Sequence, residues 1–142
     1  MARSLLAALA AVAFCVACGD DSTTSPSTAT PTGRSTEYFV GNLDVQGAQF
    51  YSFTVVTSGT TDLTLLSVLP AAATTPALAT VVGLGLGTPA GTSCALSAAT
   101  TVRAALSSQL STTTAPSIYC VLIADVGNLQ DAVHFTIRIV HP

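Results

Sequence analysis

Apolar and polar positions alternate in short runs along most of the chain. The cleanest run lies near the C-terminus, where Val133, Phe135, Ile137 and Ile139 alternate with His134, Thr136, Arg138 and Val140, the period-two pattern of a strand with one buried face. Before it, Tyr119, Val121 and Ile123 share one face, Cys120 and Leu122 take the other, and Asp125-Val-Gly-Asn128 supplies turn chemistry. The two runs predict a hairpin with its loop over 125–131. A second hairpin is predicted from residues 38–45 and 49–57 around Gln46-Gly47, followed by a strand over 62–69 that Pro70 ends and a loop over 71–79. Val82, Leu84 and Leu86 then alternate with Gly83, Gly85 and Gly87, which implies a strand with one bare face where a loop or an aromatic ring can lie. Residues 92–97 predict a further strand. Residues 98–110 are ambiguous: Ala98, Val102, Ala105 and Leu106 fit a helical face, but β-branched and Ser residues favour a loop plus a short strand. The count comes to about eight strands.

Composition narrows the class. The 142 residues are 49% hydrophobic and only 8% charged, enough for one domain, and the Thr, Ser, Ala and Val content suits strands and loops, so an all-β fold is expected. There is no lysine, and four Arg and Lys against seven acids give a net charge of −3. No basic face exists to neutralise phosphates, which argues against nucleic acid as a partner.

The N-terminus carries an address. Arg3 followed by an apolar run from Leu5 is the layout of a secretory signal peptide, too short to span a bilayer. The run ends in Cys15-Val-Ala-Cys18-Gly19, which resembles the lipobox of bacterial lipoproteins, with small Ala17 before the cysteine and Cys15 where leucine is usual. The resemblance implies cleavage before Cys18, acylation of that residue and attachment to a membrane of the cell envelope, outer membrane or cell surface, with the domain in the periplasm or outside the cell. Multiple acyl chains make such attachment firm. Residues 19–36 are rich in Ser, Thr and Pro and cannot collapse into a core, so they read as a disordered tether of roughly 20 to 25 Å r.m.s. span. The folded domain is expected over 37–142.

Cys94 and Cys120 remain as an even pair in an oxidising compartment, and a disulfide between them is the natural assignment. A transition-metal site lacks spacing: there is no C-x-x-C, and His134 and His141 fall on opposite faces of one strand. Asp125, Asn128 and Asp131 offer oxygen ligands in one loop, as calcium requires, although the spacing is not that of an EF-hand and turns prefer the same residues. The glycines over 83–87 lack the phosphate-cradle spacing, and Gly91-Thr-Ser93-Cys94-Ala95 is a broken G-x-S-x-G. No nucleophile and base pair emerges, so neither catalysis nor a cofactor is expected.

Gly41 to Leu43 (G-N-L), Phe53 to Val55 (F-T-V), Gly59-Thr60, Gly83 to Thr88 (G-L-G-L-G-T), Tyr119 to Asn128 (Y-C-V-L-I-A-D-V-G-N) and His141-Pro142 form a pattern. It resembles bacterial exported domains similar to the prepeptidase C-terminal (PPC) β-sandwich. That resemblance implies a jelly-roll-like β-sandwich with no catalytic residues to carry across. The expected function is a lipid-anchored, non-catalytic module that binds a protein or envelope glycan. The alternatives are a purely structural envelope protein and an accessory carbohydrate-binding module.

Overall fold

The computed structural model describes residues 33–71 and 79–142. The expected signal peptide, Cys18, most of the tether and most of the 71–79 loop lie outside the described residues. Eight strands follow one another: β1 (Ser35–Leu43), β2 (Ala48–Val55), β3 (Gly59–Pro70), β4 (Val82–Ala90), β5 (Ser93–Val102), β6 (Leu110–Thr114), β7 (Ser117–Asp125) and β8 (Val133–His141). Among the described residues there is no helix. Residues 98–102 belong to β5, laddered to β4 over its whole length, with Val102 turned into the core. Only the loop after Val102 and the short β6 answer to the expected loop plus strand.

Two four-stranded antiparallel sheets form, in the orders β1-β8-β3-β6 (sheet I) and β2-β7-β4-β5 (sheet II). Only β4 and β5 pair with their sequence neighbour. Every other connection crosses from one sheet to the other, which is the two-Greek-key winding of a jelly roll. Both predicted hairpins are therefore corrected. β1 pairs with β8 and β2 with β7, so the Gln46-Gly47 turn and the 126–132 loop each step between sheets. A hairpin would have set the apolar faces of β7 and β8 side by side. Instead they oppose each other across the sandwich, Val121 and Ile123 from one sheet and Phe135, Ile137 and Ile139 from the other, all fully buried.

The bare face of β4 is covered by its own neighbour. Ser97 is the extra residue of a bulge between Leu86 and Gly87, its hydroxyl donating to Leu86 O at 3.2 Å, and beyond it β5 bends over β4. Leu96 lies on Gly85, where an added Cβ would sit 2.7 Å from its Cδ2, and the Ala95 backbone lies on Gly87. The covering groups are thus an aliphatic side chain and a strand, not the expected loop or aromatic ring. This bend brings Cys94 to Cys120 across the intervening strand, with Cα atoms 5.9 Å apart and a disulfide between them. Strands separated by a third in a flat sheet stand about 9.5 Å apart.

The staple closes a separation of 26 residues, so its reduction is expected to cost about 3.5 kcal/mol on the chain-entropy relation, read by denaturant unfolding with and without reductant. At Gly87 a Cβ would meet backbone, which cannot swing aside, and Gly87→Ala is expected to lose about 1 to 3 kcal/mol. Gly33→Ala, where nothing lies within 4 Å, is the control and should unfold like the parent chain. Equal midpoints for the two glycine variants would refute the close approach.

Candidate functional site

Asp125 ends β7, and its carboxylate is an acceptor hub. Oδ1 accepts from the backbone N–H groups of Gly127, Asn128 and Leu129 at 2.9, 3.0 and 3.2 Å, while Oδ2 accepts from Gln46 N at 2.8 Å. One side chain thereby fixes the 126–132 loop and the β1–β2 turn, where Gln46 is held at a φ of 59°. A calcium ion at Asp125, Asn128 and Asp131 would have to compete with four N–H donors for the first of them. Asn128 and Asp131 instead line an open hollow of about 160 Å³ with Pro70 and Thr80. That is below the size of typical ligand pockets.

His134 and His141 fall on opposite faces. His134 is exposed on sheet I, its Nδ1 bonded to Asn42 Oδ1, whereas His141 is buried and donates from Nε2 to Glu37 Oε1 at 2.9 Å. Glu37 Oε2 accepts from the Tyr51 hydroxyl at 2.6 Å, and this bond to a carboxylate pushes the phenol above its ordinary pKa. The Tyr51, Glu37 and His141 chain joins β2 to β1 and β8, packed beside the Phe53 ring, whose centroid is 5.1 Å from that of His141. Sequence reading missed it. The residues are 14 and 104 positions apart, and the one available signal was a Glu at an inward position of a strand. In the broken G-x-S-x-G stretch, Ser93 Oγ donates to Ala90 O at 2.9 Å and Cys94 is in the disulfide. These positions make a turn.

The outer faces of the two sheets differ in charge. Sheet I carries Asp62, Arg138 and His134, and Arg34 reaches onto it, its Nη2 donating to Asp62 Oδ2, Thr60 O and Val140 O at 2.6, 2.7 and 3.0 Å. The 103–109 segment extends the β3 edge. Gln109 donates its backbone N–H to Leu63 O and closes on Leu65 through Oε1, which accepts from Leu65 N at 2.7 Å. Arg138 donates to Thr64 Oγ1 and Leu106 O.

Among the described residues, the outer face of sheet II has no charged one. By register it presents Ala48, Phe50, Ser52 and Thr54 from β2, Ile118, Cys120, Leu122 and Ala124 from β7, Gly83, Gly85 and Gly87 from β4, and Leu96, Ala99 and Thr101 from β5. Phe50 opposes Leu122, Leu122 opposes Gly85, and Leu96 lies on Gly85, so one apolar ridge runs across the sheet. Beside it Ala48, Ala124 and Gly83 form a trough, with Val126 near its Gly83 end. Ile118 is 56% and Leu96 44% exposed. An uncharged, partly apolar face rimmed by polar residues is what a protein contact uses, and this face is the candidate site.

Two carboxylates are held below the ordinary aspartate value of 3.8: Asp62 by the Ser111 hydroxyl and then by Arg34, and Asp125 by the Gln46 N–H and then by the three loop N–H groups. With the folded values depressed, the stability they supply is present above that range and lost as pH falls through the lower folded values. The thermal midpoint is therefore expected to hold down to about pH 5 and to fall below about pH 4. A double variant, Asp62→Asn with Asp125→Asn, should be less stable at neutral pH and show a shallower acid limb. An unchanged acid limb would remove both residues from the account.

No family model matches the chain, and no curated protein is similar to it in sequence.

Proposed function

We propose that this chain is an exported, lipid-anchored protein whose jelly roll is non-catalytic and binds a protein partner through the outer face of sheet II. The observation that carries the reading is the absence of charge, among the described residues, from that face in a domain whose other sheet is wired with ions. A charged ligand would find no opposite charge there, whereas an apolar protein surface would bury Phe50, Leu122, Leu96 and Ile118. Support for the address comes from Arg3, the apolar run and Cys18, and a buried disulfide suits an oxidising compartment. The jelly roll is also the architecture that the PPC-like resemblance implies. Catalysis is not part of this reading: Asp125, the Tyr51, Glu37 and His141 chain and Ser93 serve turns and sheet contacts.

Metabolic labelling with a palmitate analogue is expected to mark the chain, and Cys18→Ala to lose the label. Retention of label would move the anchor elsewhere. Gentle crosslinking in the native envelope is expected to capture a stoichiometric partner. That capture should be lost on Leu122→Glu and kept on Thr136→Glu, which places a charge on the opposite sheet. A capture indifferent to both changes, or none at all, would favour a structural role without a ligand.

A further inference from the structure

The outer face of sheet II has a shape as well as a lack of charge. Its ridge, Phe50, Leu122 and Leu96, and its trough, Ala48, Ala124 and Gly83, are parallel rows two residues apart along the strands, about 7 Å. A two-fold axis lying in the plane of the face, parallel to the rows and midway between them, carries the ridge of one copy onto the trough of another. The same operation returns the second ridge to the first trough, which is the self-complementarity that a symmetric dimer requires.

Resting on the binding reading above, we propose that the partner of this face is a second copy of the chain, packed sheet to sheet. Charge favours this occupant. The described acids and arginines lie on or beside sheet I, inside the sandwich edge or at the loop ends: Arg34, Asp62 and Arg138 on sheet I, Arg103 in the segment beside it, Glu37 inside, and Asp44, Asp125 and Asp131 in loops and strand ends. Two negatively charged copies therefore meet here without apposing like charges, and a charged foreign surface would lose solvation against Phe50 and Leu122 with nothing in return. Area sets the strength of the contact. Four strands at about 4.8 Å spacing and seven residues of each give roughly 450 Å² per copy, so the pair approaches the roughly 1,000 Å² of a specific contact at its weaker end. An area of this size belongs to weak, reversible contacts.

The test uses the whole chain in its native membrane, with tagged and untagged copies expressed together and a photo-crosslinking residue replacing Leu122. The expected product has twice the mass of the chain, contains the tagged and the untagged copy, and joins position 122 to the peptides bearing Ala48 or Ala124. The same residue at Thr136 on sheet I should give no such product, and Ala124→Glu should cut the yield at position 122 at least about tenfold by burying an unpaired charge. A product joining position 122 to a different protein would overturn the self-pairing and leave the binding reading standing. Adducts to lipid alone, or none, would overturn both.

Discussion

The close approach of β5 to β4 is the constraint on which the face of sheet II depends. Strands β5 and β7 are separated by β4, yet Cys94 and Cys120 reach each other because Gly87 leaves no side chain between them and the bulge at Ser97 bends β5 inward. One bend has three effects. It buries the disulfide, lays Leu96 over Gly85, and turns what would have been a bare strip into part of an apolar ridge. A side chain at Gly87 would force β5 away and undo all three.

The two sheets solve the same problem by different means. Sheet I ties its edge and its neighbouring segment with directional polar contacts: Arg34 to three acceptors, Ser111 to Asp62, Gln109 to Leu65, Arg138 to Leu106. Such contacts need charged and amide side chains, and they leave the surface hydrated. Sheet II spends no charged side chain on its outer face. Its staple is covalent and its cover is aliphatic, so its outer surface is left free of ions. With only 8% charged residues in the chain, placing three of the four arginines on or beside one sheet leaves little for the other. The asymmetry is a consequence of where a small number of charges sit.

Strand positions were legible in the sequence, and strand partners were not. Alternation reports which residues share a face, and Val133, Phe135, Ile137 and Ile139 do face the core, as do Val82, Leu84 and Leu86. It carries no information on which neighbour supplies the hydrogen bonds. The Asp125-Val-Gly-Asn128 turn residues suggested a hairpin because local turn chemistry is the same whether the chain reverses within a sheet or steps to the opposite one. The disulfide was legible for a simpler reason, since only two cysteines remain once those of the N-terminal segment are set aside. The ridge of sheet II was not, because Phe50, Leu122 and Leu96 come from three strands and align only after register and bulge are fixed.

Among the described residues no main-chain hydrogen bond joins a strand of one sheet to a strand of the other, and apolar contact between their inner faces is non-directional, so the sandwich needs other devices to fix how one sheet sits on the other. Two carboxylates provide them at the edge formed by β1 and β2. Glu37 links β1 and buried His141 of β8 to the Tyr51 hydroxyl of β2, and Asp125 of β7 holds the turn that leads from β1 into β2. β2 is the outermost strand of sheet II on that side and carries Phe50. Its position therefore depends on Glu37 and Asp125, just as the position of Leu96 at the opposite edge depends on Gly87 and the disulfide. The ridge between them is held at both ends by groups that do not belong to it, which keeps an uncharged outer face in the shape that meets another surface.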